Sequence, residues 1–163
     1  MTKSVDSTAP VLTSVRQRTG VIELNRPKAL NSLNPEMIDI IAKAVKNWED
    51  DDSIDQIVLY TTNPKAFCAG GDVRFARDNI LSGDAQLVDD FFAAEYTLNG
   101  KLATYKKPLV SIIDGVVMGG GLGISLHGSH RVVTENAFAS MPEMAIGYFT
   151  EVGVAHAAQR MVG

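Results

Sequence analysis

The sequence contains only one cysteine, Cys68, among its 163 residues. No disulfide can therefore form within the chain, and we expect a reducing compartment. No apolar run approaches the roughly 18 residues of a membrane span, so we expect no membrane partner. The net charge of −4 and the pI near 5.3 argue against nucleic-acid binding, which usually needs a basic face. The three histidines lack the spacing of metal ligands, so we expect no metal site: His127, His130 and His156.

The first ten residues, MTKSVDSTAP, also lack the features of a targeting segment. They have no apolar core like that of a signal peptide, and they are not Arg-rich and acid-free like a mitochondrial presequence. The remaining composition, 45% apolar and 21% charged, is ordinary for a globular protein. We therefore predict a disordered leader at 1–10, one domain at 11–163 and a cytoplasmic location.

The order of strand and helix patterns predicts an α/β fold with right-handed crossovers. Residues 11–17 and 21–25 predict a hairpin with Gly20 in its turn. Asn34 and Pro35 predict the start of a helix, and the next strand is expected at 56–61. The buried face of that helix is predicted to contain Ile38, Ile41, Ala42 and Val45.

A second, longer helix is predicted to begin after Gly83 and Asp84. Strands are expected at 131–134 and 137–139, and a last apolar helix at about 152–162. The predicted apolar stripe of the long helix contains Leu87, Phe91, Ala94, Leu98, Leu102 and Tyr105.

Two glycine turns lead from strands into helices. One is Gly70-Gly71, and the other, 119–121, follows the buried strand predicted at 109–113. Backbone N–H groups at the start of a helix can bind a phosphate, a carboxylate or an oxyanion. Such glycines can also simply allow close packing. Two of these turns on adjacent parallel strands would place two donors around one carbonyl oxygen, which favours an oxyanion hole.

Two glutamates are candidates for acid–base chemistry. Glu143 and Glu151 flank the largely apolar segment 144–149, a setting that raises a carboxyl pKa and suits proton transfer. Either glutamate alone could equally be a surface acid. Cys68 precedes a helix start, but no His–acid arrangement accompanies it, so we interpret it as a small buried residue.

Three stretches resemble the signatures of the crotonase, or enoyl-CoA hydratase/isomerase, superfamily: 25–34 (NRPKALNSLN), 66–74 (AFCAGGDVR) and 114–125 (DGVVMGGGLGIS). The resemblance implies a crotonase-like spiral of ββα units, of which 11–163 would be only the N-terminal part of the core. It also implies an acyl-CoA substrate, whose thioester oxygen is bound by the N–H groups of Gly71 and Gly120. Coenzyme A is then part of the substrate, and no separate cofactor is expected. The implied substrate-binding residues are Lys28, Ala29, Leu30, Ala69, Gly70, Gly71, Asp72 and Gly120.

Within that family, the chain is most similar to the 3-hydroxyisobutyryl-CoA hydrolase branch. Gly123 stands where hydratases carry a glutamate, and 95–99 and 141–153 resemble the hydrolases. The resemblance assigns thioester hydrolysis to Glu143, as nucleophile or general base, together with Glu151. The hydrolase run Phe-Pro-Asp-Val-Gly-Gly is Phe-Thr-Glu-Val-Gly-Val here. Two alternatives remain. The chain could belong to an enoyl-CoA hydratase or isomerase, or to a non-catalytic acyl-CoA-binding or assembly protein.

The last predicted helix has no later element to cover its apolar side. We therefore expect a homo-oligomer or a complementing C-terminal chain, and we predict that residues 1–163 alone are not a competent enzyme. Without such a cover, Glu143 and Glu151 would be open to water. The face expected to need covering contains Val152, Ala155, Ala158, Gln159 and Val162.

Overall fold

Most strands of this chain occur in consecutive pairs that are divided between two sheets. The computed structural model describes residues 7–159. The larger sheet contains, in spatial order, β1 (Val11–Arg16), β2 (Thr19–Leu24), β3 (Gln56–Thr61), β5 (Leu109–Ile113) and β7 (His130–Val133). The smaller sheet contains β4 (Ala66–Cys68), β6 (Val116–Met118) and β8 (Phe138–Ser140). Apart from the antiparallel hairpin of β1 and β2, all pairs are parallel. The predicted α/β spiral of ββα units is confirmed.

Helices cover the sheets and close the core. They are α1 (Pro35–Glu49), α2 (Val73–Ser82), α3 (Ala85–Ala103), α4 (Gly120–Leu126) and α5 (Val154–Ala158), with 3-10 turns at Pro27–Ala29 and Glu143–Ile146. Buried residues of α1, α3, α4 and both sheets form one apolar cluster. Within residues 7–159, no helix combines the length and apolar character needed to cross a membrane.

The predicted helix starts are confirmed by their capping hydrogen bonds. The Asn34 side chain accepts a hydrogen bond from the Met37 amide at 2.9 Å, and Pro35 is the first residue of α1. Asp84 caps α3 in the same way, by accepting from the Leu87 amide. Each side chain satisfies one of the backbone donors left free at the start of a helix.

The predicted position of the first turn is wrong. β1 and β2 are joined by Gln17 and Arg18, because Arg16 already pairs with Thr19. Gly20 lies within β2, where the ring of Trp48 packs against it. A Cβ on Gly20 would lie only 2.5 Å from that ring, so the glycine provides room for the tryptophan.

The predicted buried stripe of α3 is partly wrong. Phe91, Leu98 and Leu102 are buried, but Leu87 and Ala94 are exposed. Their places in the interior are taken by residues on the adjoining side of the helix. The buried residues of α3 are Val88, Phe91, Glu95, Leu98, Asn99 and Leu102. Two polar side chains of α3 therefore face the interior.

Two further expectations near the C-terminal side need correction. The turn at 119–121 follows the separate short strand β6 and not the strand at 109–113. The last helix described has five residues, and Val152, predicted to be uncovered, precedes it and is buried. The remainder of the predicted helix, including Val162, lies outside the described residues.

Three residues of the predicted leader, Ser7, Ala9 and Pro10, accept hydrogen bonds from Asn25. The Asn25 amide donates to the Pro10 carbonyl at 2.8 Å, and its side chain donates to the Ala9 carbonyl at 2.9 Å. Residues 1–6 of that leader lie outside the described residues.

Candidate active site

The two glycine turns leave the same edge of the smaller sheet. β4 and β6 are parallel neighbours, so the turns that follow them lie side by side, as predicted. The Gly71 nitrogen is 3.3 Å from the position of a Cβ on Gly120. Neither the Gly71 nor the Gly120 N–H donates to another described residue. Two backbone donors are thus available at one place.

Glycine is required at two positions of these turns by backbone conformation. Gly70 has φ of +102° and Gly119 has φ of +44°, in the region that disfavours residues with a Cβ. These conformations turn the chain sharply at the strand ends. They set the direction in which the following Gly71 and Gly120 amides point.

The segment after β2 packs beside the first glycine turn. The Leu33 amide donates to the Gly70 carbonyl at 2.8 Å, and the Ala69 amide donates to the Leu30 carbonyl at 3.0 Å. A half-buried ion pair joins Arg26 to Asp72 at 2.8 Å. These contacts bring together the two stretches predicted to bind substrate, one containing Lys28, Ala29 and Leu30, the other Ala69, Gly70, Gly71 and Asp72. Lys28 and Leu30 are exposed on this surface.

Glu143 begins the 3-10 turn after β8, and its carboxyl group faces the second glycine turn. Its Oε1 lies 2.9 Å from the position of a Cβ on Gly119. The residue is 8% exposed, and Oε2 has no hydrogen-bond partner among the described residues. The expectation that Glu143 would be open to water is therefore wrong. The structure places it against Gly119, which directly precedes the predicted oxyanion donor Gly120.

A third carboxyl group, from Glu95 on α3, was not predicted as a site residue. Its Oε1 occupies the space where Gly120 would carry a Cβ, and Oε2 lies 3.9 Å from the same position on Gly71. Glu95 is 1% exposed, and Oε1 has no partner within the described part of the chain. Burial, with a smaller contribution from the charge of Glu151, raises the pKa of Glu95 to about 7.

Glu151 also joins this group through α3. The hydroxyl of Tyr96 donates a hydrogen bond to Oε2 of Glu151. Partial burial raises the pKa of Glu151. Glu95 and Glu143 thus bring two carboxyl groups to the glycine turns, and Glu151 lies near enough to Glu95 for its charge to raise the Glu95 pKa. Such an arrangement can accept and deliver protons beside a bound carbonyl group.

The histidine and cysteine side chains lie in surroundings that suit a structural role and not a catalytic one. His127 Nε2 is 2.7 Å from the Val152 carbonyl oxygen, and His130 and His156 are exposed. The Cys68 thiol is buried near the Asn31 carbonyl at 3.1 Å. Burial raises the pKa of Cys68 to about 12, which is consistent with its interpretation as a small buried residue.

Comparison with known proteins identifies the family. Residues 19–163 match the family described as Enoyl-CoA hydratase/isomerase. The chain belongs to the enoyl-CoA hydratase/isomerase family. Among solved structures, it is similar to a carnitinyl-CoA dehydratase from Mycobacterium thermoresistibile, with a TM-score of 0.88 and 40% identity over 94% of this chain and 45% of that chain. It is also similar to an enoyl-CoA hydratase from Rhodobacter sphaeroides 2.4.1, with a TM-score of 0.87 and 40% identity over 90% of this chain and 44% of that chain.

Several curated members of the family at higher identity are named as hydrolases. The mitochondrial 3-hydroxyisobutyryl-CoA hydrolase of Xenopus tropicalis is 49% identical over 88% of this chain and 37% of that protein. The human protein of the same name is 42% identical over the whole chain and 42% of its own length. The chain thus spans about two fifths of the length of these relatives. Their names contain the word mitochondrial, whereas the cytoplasmic location expected here stays a prediction.

Proposed function

We propose that the chain provides the oxyanion-binding part of an acyl-CoA thioester hydrolase that acts on a short, branched 3-hydroxyacyl-CoA. The observation that carries the proposal is the meeting of the Gly71 and Gly120 turns, whose amides have no partner among the described residues, with the Glu143 carboxyl group packed against Gly119. The relatives named 3-hydroxyisobutyryl-CoA hydrolase support this acyl group. Gly123, where hydratases carry a glutamate, favours hydrolysis over hydration.

In this proposal, the two amides stabilise the charge that develops on the substrate. The N–H groups of Gly71 and Gly120 donate to the thioester oxygen as its carbon becomes tetrahedral. One such donor contributes about 2.7–4 kcal/mol in well-studied enzymes. The rigid glycine turns hold both donors in place before substrate binds, so little reorganisation is needed during the reaction.

Glu143 starts the chemistry in one of two ways. As a general base, it takes a proton from water while the water oxygen attacks the thioester carbon. As a nucleophile, it attacks that carbon itself, and water then hydrolyses the resulting anhydride. In either case the carbon–sulfur bond breaks, the coenzyme A thiolate takes up a proton, and the acyl group leaves as a carboxylic acid. Label in the Glu143 carboxyl group after a single turnover in isotopically labelled water would establish the nucleophile route, since the general-base route labels only the released acid.

The two other carboxyl groups have complementary roles. Glu151, whose pKa is raised by burial, supplies a proton to the departing sulfur. Glu95 lies against both amide donors, where a negative charge would oppose that of the oxyanion. With its pKa raised to about 7, it carries a proton below that pH and then avoids this repulsion.

The coenzyme A part of the substrate lies along the surface made by the two stretches that meet at the first glycine turn. Exposed Lys28 is positioned to attract its phosphate groups. No separate cofactor is required, because the thioester itself is the activated group. The proposed binding residues are Lys28, Ala29, Leu30, Ala69, Gly70, Gly71, Asp72 and Gly120.

The test is release of free coenzyme A from 3-hydroxyisobutyryl-CoA by the chain in its covered form, the homo-oligomer or the assembly with a complementing chain. Glu143→Gln is expected to lower kcat at least about a hundredfold, while Glu135→Gln, an exposed control, leaves it unchanged. Faster hydration of crotonyl-CoA would assign the chain to the hydratases, and double-bond migration without coenzyme A release would assign it to the isomerases. Tight binding without turnover would favour a non-catalytic acyl-CoA-binding protein.

We further infer that another polypeptide covers one exposed apolar face. β7 is an edge strand of the larger sheet, and large apolar side chains on it and on the segment that follows are more than half exposed: Val132, Val133, Phe138, Ile146 and Phe149. A patch of this kind is normally an interaction surface. Its cover would be a second copy of the chain, or a complementing chain equivalent to the remaining length of the relatives. Light scattering would contradict this if the 163-residue chain is a stable monomer with ordinary hydrolase activity.

A further inference from the structure

Asn99 on α3 is a buried amide without a partner. The residue is 5% exposed, and neither its Nδ2 nor its Oδ1 has a hydrogen-bond partner among residues 7–159. Buried polar groups in native proteins are nearly always hydrogen bonded. One unpaired donor and one unpaired acceptor on the same side chain therefore indicate that a further group binds here.

Asn99 lines a small cavity between α3 and the segment that contains Val152. The cavity has a volume of about 270 Å³ and is lined by Tyr96, Asn99, Gly100, Ala103, His127 and Val152. On α4, the position of a Cβ on Gly123 is 2.8 Å from Asn99 Nδ2 and 3.2 Å from its Oδ1. Gly123 follows Gly120 by three residues, so roughly 5 Å, about one helical turn, separates the glycine that Asn99 contacts from the proposed oxyanion donor. That distance suits the two or three carbon atoms beyond a bound thioester carbonyl.

The chemistry of the cavity favours a neutral hydroxyl group. A hydroxyl both donates and accepts a hydrogen bond, as an amide with two free positions requires. An anion would satisfy only the N–H and would lie close to the carboxyl group of Glu151, which directly precedes Val152. The ring of His127 already contacts the Val152 carbonyl through Nε2. A cation would in turn leave the Asn99 N–H unpaired.

We propose that Asn99 binds a hydroxyl group on the acyl chain of the substrate and so selects hydroxyacyl thioesters over unsubstituted ones. This rests on the proposed acyl-CoA function, and it assigns to one residue the recognition of the acyl group. A site built to hydrogen bond a hydroxyl rejects the analogue lacking it, because its own polar atoms are then left unpaired.

Two coenzyme A ketones test the proposal by binding alone. Each has a methylene group between sulfur and carbonyl, so it cannot be hydrolysed. One carries the hydroxylated branched acyl group and the other carries isobutyryl. By calorimetry on the chain in its covered form, the homo-oligomer or the assembly with a complementing chain, we expect the hydroxylated ketone to bind about tenfold more tightly. Asn99→Leu should abolish this ratio by weakening only the hydroxylated ketone. Thr97→Val, on the exposed side of α3, should preserve it.

The outcomes separate this proposal from the one on which it rests. Equal binding of both ketones to the unaltered chain would overturn the role of Asn99 and leave the acyl-CoA function standing. Failure to bind either ketone would overturn both. An equal loss of both ketones in Asn99→Leu, or in Asn99→Ala should the leucine variant not fold, would show that Asn99 only supports the structure.

Discussion

The carboxyl group of Glu95 occupies the space that a side chain at position 120 would need. The bare backbone of α4 at Gly120 therefore allows a buried acid from α3 to reach the glycine turn. This contact joins the two elements that supply the proposed oxyanion donor and its neighbouring carboxyl group. Stability and proton binding should both depend on it.

Replacement of Gly120 by alanine should destabilise the fold. The added methyl group overlaps the Glu95 carboxylate, and overpacking of a buried site costs about 1–3 kcal/mol. Gly100→Ala is the matched control, because a Cβ there meets nothing within 4 Å. It should stabilise α3 by about 0.5–1 kcal/mol. Urea unfolding measures both, and effects of the same sign would contradict the prediction.

The raised pKa of Glu95 should make stability fall as pH rises. The folded protein holds this proton up to about pH 7, whereas an unfolded glutamate loses it near about pH 4.3. The free energy of unfolding that this proton contributes is fully present at acid pH and is lost as the pH rises to about 7. Glu95→Gln should remove up to about 3 kcal/mol of this decline between about pH 4 and 8. Unfolding curves for Glu135→Gln should keep the original slope, and an unchanged slope in Glu95→Gln would disprove the assignment.

Asp72 should contribute measurably to stability. It accepts a hydrogen bond from the Phe75 amide at 3.1 Å as the cap of α2, and it pairs with half-buried Arg26. Loss of such a cap costs about 0.5–2 kcal/mol, so Asp72→Ala should lower the free energy of unfolding by about that amount. Asp78→Ala removes an exposed pair with Arg77 and should have little effect. If the two variants lose equal amounts of unfolding free energy, the cap and ion pair of Asp72 contribute no more to stability than an exposed ion pair does.

Cys68 should resist alkylation in the folded protein. Its thiol is buried, and burial raises its pKa to about 12, so the reactive thiolate is scarce at about pH 8. Mass spectrometry after iodoacetamide treatment should show no adduct in buffer and one adduct in denaturant. Equally rapid labelling in both solutions would refute the buried position of the thiol.

Local signals predicted much of this fold because their causes are close in sequence. The cap at Asn34 acts on an amide three residues later, and β3 has the predicted bounds. The two glycine turns could also be recognised, since a strand, glycines and a helix start follow one another directly. Such features need no knowledge of distant parts of the chain.

The buried polar side of α3 could not be found in this way. Apolar periodicity favours the side with Leu87 and Ala94, which is exposed. Glu95 and Asn99 are buried only because α4 places bare glycines against them, a contact between distant segments. Their spacing with the buried residues Phe91, Leu98 and Leu102 was the available signal. The role of Gly20 was hidden for the same reason. It gives room to Trp48, which lies on the distant helix α1.

The packing of α3 on α4 also constrains how the family can change through evolution. Glu95 contacts Gly120, and Asn99 contacts Gly123. The second contact lies about one helical turn beyond the first along both α3 and α4. Neither member of a pair can be enlarged without loss of room for its partner. Aligned family members should therefore show correlated exchanges at positions 99 and 123, with a small residue at 99 wherever 123 carries a long acid. A switch from hydrolysis to hydration during descent would then require two substitutions and not one.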